Sequence, residues 1–244
     1  MPNHMANEFI RAYANLARKN IDKNSMFLES ASGAPLLEEM RRFVESWNEA
    51  EEIVSDVLKD SYSTRNFRNW VDYIWSMMDF VVNHVWFPSL FSVMADIIIG
   101  ALDSVCRTIR FLFEGLELGL VLDCSEEFRG LNLIEKWERI KESDFYPRRL
   151  KRYIEKLLQK DVVEELEKFY SELSSEWMHA PSYVNKLFQD IFREGDLPAK
   201  SLYFPPLEER KEDVNKLVEI LNKFNEYALI LVKKWEECLR RGKV

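Results

Sequence analysis

The chain reads as all-α: a multi-helix bundle built around one central, buried helix. Three observations carry this reading. First, residues 89–122 form a run whose only charges are Asp96, Asp103, Arg107, Arg110, Glu114 and Glu117. At 3.6 residues per turn these six fall within an arc of roughly 80°, with Ser89 and Ser92 on the same arc. A surface helix carries an apolar stripe on a polar body; a narrow polar stripe on an apolar body is the pattern of a helix surrounded by others. Second, 244 residues contain only 7 Gly and 8 Pro, too few for a turn-rich β fold. Third, Val214, Leu217, Leu221, Phe224, Ala228, Leu231, Trp235 and Cys238 keep a three-to-four spacing near the C-terminus, which is core-facing helical spacing.

The spacing predicts about nine helices and no strand. Asn7 to Asn20 is an amphipathic helix, and Ile21 to Ala34 a loop ending in Ser-Gly-Ala-Pro. Pro35 opens a long helix to about Asp60, since proline suits a first helical turn. Thr64 caps a third helix running to His84, and Pro88 opens the central one. Shorter, charged helices follow near 131–142, 147–159, 162–178 and 183–194, with Asp161 and Ser182 as caps and Gly195 as a stop. The last helix spans about 208–240. The expected organisation is a single helical domain over 1–244: a long-helix bundle at 35–122 and 208–240, with the short helices of 131–194 as a cap. Gly100, Gly115 and Gly119 fall inside the central helix, each costing about 1 kcal/mol relative to Ala, so close packing of another helix is expected there.

Composition narrows the function. Apolar residues make up 47% and aromatics 13%, enough for a full core. A net charge of −8 argues against non-specific nucleic-acid binding by the chain as a whole. Three cysteines, Cys106, Cys124 and Cys238, lie far apart without a C-x-x-C, so neither a disulfide framework nor a zinc site is expected. Cys106 and Cys238 read as small core hydrophobes. The first residues hold no apolar signal core, and Asp96 and Asp103 speak against a membrane span over 86–105. A reducing cytoplasmic location without membrane association is the expectation. Only two Gln occur, Gln159 and Gln189, against abundant Lys and Glu, which leans towards a thermophile.

The stripe is the first candidate for chemistry. Asp103 with Arg107, and Arg110 with Glu114, are i,i+4 pairs. Asp96, Asp103, Glu114 and Glu117 are candidate ligand-binding carboxylates; Arg107 and Arg110 could hold a phosphate. Histidines are only His4, His84 and His179. Glu176-Trp-Met-His179 is a single Glu-x-x-His step, whereas a di-iron site needs two. No metal site and no cofactor are assigned. A basic run follows Tyr146: Arg148, Arg149, Lys151 and Arg152, interleaved with Phe145, Tyr146 and Tyr153. Cations among aromatics can hold phosphates and stack bases. The phosphate loop, the G-x-S-x-G elbow and H-E-x-x-H are absent.

Two segments carry a resemblance. One is Asp103-x-x-x-Arg107-x-x-Arg110-Phe-Leu-Phe-Glu114-Gly; the other is Phe-Tyr170-Ser-Glu-Leu-Ser174-x-x-Trp-x-His179. Together they resemble the HEPN-like helical-bundle families, over less than a fifth of the chain. In the ribonuclease members an Arg and a His on one helix act on the RNA phosphodiester. Here neither His84 nor His179 has an Arg at that spacing. The resemblance therefore implies a non-catalytic binding member, or one in which Arg107 or Arg110 meets His179 through the fold.

The reading that results is a cytoplasmic helical binding or interaction protein with a polar pocket beside the central helix and a protein partner or a second copy as its expected company. The alternatives are an enzyme acting on RNA or a phosphorylated small molecule, with Arg107, Arg110 and His179 as its catalytic groups, and a protein with a metal-carboxylate site.

Overall fold

The computed structural model describes residues 2–64, 76–141, 148–177 and 206–241. Among these the chain is all-α, with eight helices packed together and no strand. They are α1 (Pro2–Glu29), α2 (Ala34–Thr64), α3 (Met77–Ile99), α4 (Leu102–Cys124), α5 (Leu133–Lys141), α6 (Arg148–Leu157), α7 (Lys160–Trp177) and α8 (Lys211–Arg241). Short 3-10 turns at Glu126–Phe128 and Leu207–Glu209 link some of them. The expected helix at 183–194 lies outside the described residues.

α8 packs most extensively on α2 and α4, and α4 packs also on α3, α6 and α7. α4 is thus the central element. At the heart of the bundle Phe43, Trp86 and Phe224 meet with ring centroids 5.3–5.9 Å apart. Phe113 and Phe169 meet edge to face at 5.1 Å, carrying the same core across to α7.

Three expectations are corrected. The central helix does not run unbroken through 89–122. Gly100 has φ 84°, and its N–H and that of Ala101 bond the carbonyls of Ile97 and Asp96. This is a Schellman stop, which a left-handed glycine permits and a side chain opposes. The chain reverses there, and Arg210 Nη1 donates to the Gly100 carbonyl at 2.9 Å. α3 then lies antiparallel on α4. A Cβ at Gly119 would stand 3.0 Å from Met78 Cα, and one at Gly115 would stand 3.2 Å from Val81 Cγ1. The close approach expected at these two glycines is therefore made by α3.

Pro88, expected to open a helix, is passed through. The helix widens to π geometry over Val81–Trp86 just before it. A proline ring collides with the carbonyl four residues back and supplies no N–H, and the wider turn relieves both problems. Nor is 21–34 a loop: α1 continues to Glu29. Asn24, within this segment, is buried. Its Nδ2 donates to the Ile98 carbonyl and its Oδ1 accepts from Leu207 N–H, both at 2.8 Å.

The lone carboxylate at the end of α4 organises one end of the bundle. Asp123 accepts from Ser76 Oγ (2.7 Å), Met77 N (2.9 Å), Met78 N (3.0 Å), Lys136 Nζ (2.6 Å) and Trp235 Nε1 (2.9 Å). It satisfies the first N–H groups of α3 as a capping residue would, but from a different helix. α5 is opened by a reciprocal capping box, Asn132 Oδ1 to Glu135 N at 3.0 Å and Glu135 Oε2 to Asn132 N at 2.9 Å.

Candidate functional site

The polar stripe survives on α4, and the reversal at Gly100 divides its work between two faces. Towards α3, Ser89 and Ser92 join Ser104, Arg107, Thr108 and Phe111 around an open recess of about 380 Å3. Arg107 is exposed here, and its Nε donates to the Asp103 carbonyl at 3.3 Å. Asp96 belongs to α3, beyond the turn, and lines neither this recess nor the pocket below. Asp103, in the first turn of α4, lines neither cavity either.

Towards α6 and α7 the stripe forms a more enclosed site. Arg110 Nε donates to Glu114 Oε1 at 2.9 Å, and Arg110 Nη2 to Tyr170 Oη at 2.7 Å. Tyr170 Oη donates to the same Glu114 oxygen at 2.9 Å. The guanidinium also stands over the Tyr170 ring, 4.9 Å from its centroid. This triangle is only about a fifth exposed at Arg110 and Glu114 (23% and 22%). Burial works against the Arg110 charge, but the bonds to Glu114 and Tyr170 outweigh it and raise its pKa. Burial, then the Glu114 carboxylate, raises the Tyr170 phenol.

Next to the triangle lies a pocket of about 280 Å3, lined by Glu114, Glu117, Leu150, Lys151, Ile154, Val163, Leu166, Glu167 and Tyr170. Its walls follow from the amphipathic spacing of the small helices. Leu150 and Ile154 turn inward from α6, and Val163 and Leu166 from α7. Lys151 forms an ion pair with Glu167 at the rim, which raises the lysine pKa. That places Lys151, expected in a phosphate-binding run, in a tie between α6 and α7. Arg152 is exposed; Arg148 and Arg149 begin α6, and their side chains lie outside the described residues.

Glu117 is the odd charge of the pocket. Arg110 offsets Glu114 and Lys151 offsets Glu167. Glu117 has no cation and no hydrogen-bond donor among the described residues. Its side chain is half-buried, and its carboxyl group is pushed up to about 8 by burial first, and by Glu114 and Glu167 after that. A desolvated carboxyl group facing a cavity without a partner is a recurrent feature of ligand and catalytic sites.

Other candidates do not gather here. Arg107 and Arg110 turn to different faces of α4 and do not converge on one ligand. His84 is exposed on α3, its ring tilted against Phe80 with centroids 5.6 Å apart, and lines neither cavity. His179 and the Glu176 side chain lie outside the described residues. Among the described residues no group of three or more His, Cys, Asp or Glu side chains could hold a metal ion. Cys124 and Cys238, though remote in sequence, are hydrogen-bonded neighbours. Cys238 Sγ also donates to the Cys124 carbonyl at 3.8 Å.

Sequence reasoning missed Glu167, Val163, Leu166, Leu150 and Ile154, because only the fold brings α6 and α7 to α4. A signal for Glu117 was present. Its i±3 and i±4 positions are Phe113, Glu114, Leu120 and Val121, so no cation on its own helix can pair with it, unlike Glu114 with Arg110.

By length and composition, α3 is the one described helix apolar enough to cross a membrane; 28% of its most apolar window is buried in the protein. No family model, curated protein or solved structure matches this chain.

Proposed function

We propose that this chain is a helical binding protein whose ligand site is the pocket between α4, α6 and α7. Glu117 carries the reading: a carboxyl group with no partner among the described residues, against apolar walls, beside a cavity of about 280 Å3. Keeping such a group out of water costs stability, and a ligand that meets its bonding needs would offset that cost. The Arg110–Glu114–Tyr170 triangle supports the reading because it holds one wall rigid. The test is a 1H–15N spectrum of the protein titrated with mixtures of small polar fragments. Shifts clustered on 114–117, 150–154 and 163–170 support the pocket; shifts scattered over the surface, or none, count against it.

A second reading, self-association or a protein partner, draws on the edge of the α3–α4 hairpin. Phe91 and Phe111 are 66% and 61% exposed there, with Phe87 stacked edge-on against Phe91 at 5.6 Å. Exposed aromatics gathered in one place mark contact surfaces. Sedimentation equilibrium of the wild type and of Phe91→Lys tests it: a dimer weakened by the substitution supports it, and a monomer for both removes self-association.

A further inference from the structure

We infer that the pocket beside α4 takes a small primary ammonium ion with an apolar body, its cation on Glu117 and Glu114 and its hydrocarbon against Leu150, Ile154, Val163 and Leu166. This rests on the ligand-site reading above and narrows it to a chemical class.

Charge comes first. Five charged side chains stand at or behind the cavity wall: Glu114 and Glu117 from α4, Lys151 from α6 and Glu167 from α7, with Arg110 behind Glu114. Two ion pairs consume Glu114 and Glu167, so ionised Glu117 leaves the site with one net negative charge. A monocation neutralises it; an anion or a dication does not. Geometry agrees. Both bonds from the triangle land on Glu114 Oε1, so Oε2 has no donor among the described residues. Glu117 likewise has none. An ammonium offers three N–H donors and no acceptor, which matches acceptors without donors.

The remaining surface selects against a bare metal ion. Calcium takes six to eight oxygens and magnesium a near-octahedral set, whereas four of the nine lining residues are aliphatic. Those four residues suit a hydrocarbon. Size sets the scale. At about 30 Å3 for each water-sized group, the cavity of about 280 Å3 accommodates roughly nine non-hydrogen atoms. Phenethylamine is such a molecule.

Binding must then depend on pH. Glu117 has to ionise to receive the cation. Its neighbours from every packed element are Glu114, Lys151, Glu167 and Tyr170, and burial with the two glutamates holds its proton on. A primary ammonium keeps its charge to about pH 10. Affinity therefore rises with pH up to the Glu117 titration and levels off beyond it.

The test is calorimetry on the full chain with phenethylamine, 2-phenylethanol and 3-phenylpropanoate, at about pH 6 and about pH 8.5, for wild type and Glu117→Gln. Pocket shifts in the 1H–15N spectrum locate each ligand. The expected result is amine binding roughly tenfold or more tighter at the higher pH, a loss of at least tenfold in Glu117→Gln, and weaker binding of alcohol and acid. If alcohol and amine bind the pocket equally, or the amine binds Glu117→Gln as well as wild type, the amine inference fails while the pocket stands. If the acid binds best, the charge argument fails. If none of the three ligands moves the pocket resonances, the amine inference fails, and the fragment screen decides the ligand-site reading separately.

Discussion

Lys136 Nζ lies 2.6 Å from Asp123 Oδ1, and the two side chains are 2% and 0% exposed. An ion pair so deeply buried gains its Coulomb energy only by losing hydration, and it is tolerated when further bonds satisfy both groups. Asp123 has those bonds, from Ser76, Met77, Met78 and Trp235. It ties α4 to the start of α3, to α5 and to α8. Asp123→Asn leaves the lysine charge buried without its counter-ion and is expected to cost about 3–5 kcal/mol. Combining it with Lys136→Met should cost less than the sum of the single changes, because the pair is lost as a unit. Urea unfolding of the three variants checks both expectations; additive losses would mean that the pair is not coupled.

The α3–α4 hairpin gives a paired prediction. Ala is a better helix former than Gly by about 1 kcal/mol. At Gly119, however, a Cβ meets the Met78 backbone at 3.0 Å, while at Gly115 it meets a Val81 methyl at 3.2 Å. Backbone cannot yield without moving α3; a valine methyl yields by small shifts. Gly119→Ala is expected to destabilise by about 1–3 kcal/mol, and Gly115→Ala to lie within about 1 kcal/mol of wild type. Denaturation midpoints at equal slope distinguish the two.

Glu117 makes stability fall with pH. Its folded-state pKa of about 8 lies above the ordinary 4.5, so between these values the native state holds more protons than the unfolded one. Stability then declines as pH rises through that window. Glu117→Gln removes the titrating group. The variant is expected to match wild type near pH 4.5 and to exceed it by on the order of 4–5 kcal/mol at about pH 8.5. Unfolding curves across the pH range read this difference; parallel pH profiles for the two proteins would contradict it.

The thiols should differ in reactivity. Cys238 is half-buried, and the hydrogen bond from Cys124 lowers its pKa, with Arg129 and Lys234 helping; that same bond, with burial, raises Cys124. Cys106 is buried. Thiolate is the reactive form, so iodoacetamide is expected to label Cys238 first by mass spectrometry. Equal labelling of all three, or Cys106 first, would contradict that order.

The fold was legible where hydrophobic spacing is long and regular. The last helix, the first long helix and the glycine step at 115 and 119 follow from periodicity and side-chain size alone. Gly100 misled because a glycine within an apolar run carries the same letter whether it packs or stops a helix; the bond from Arg210, 110 residues away, helps hold the stop. Pro88 misled because a π turn can absorb a proline. The helical run through 21–29 was not legible because Ile98 and Leu207, the partners that bury its Asn24, are distant in sequence. The stripe pointed to the helix whose Glu114 and Glu117 line the candidate pocket, and the missing i±4 partner of Glu117 was readable. The pocket walls were not, since amphipathic α6 and α7 could have packed their apolar faces on any exposed side of the bundle.

The most direct measurement is the pH titration of the Glu117 side-chain carboxyl carbon by NMR, without and with saturating phenethylamine. The free protein should titrate near 8, and the bound ammonium should lower that midpoint by stabilising the carboxylate. A midpoint near 4.5 in the free protein, or one that the amine leaves unmoved, would contradict a desolvated, partnerless carboxylate waiting for a cation.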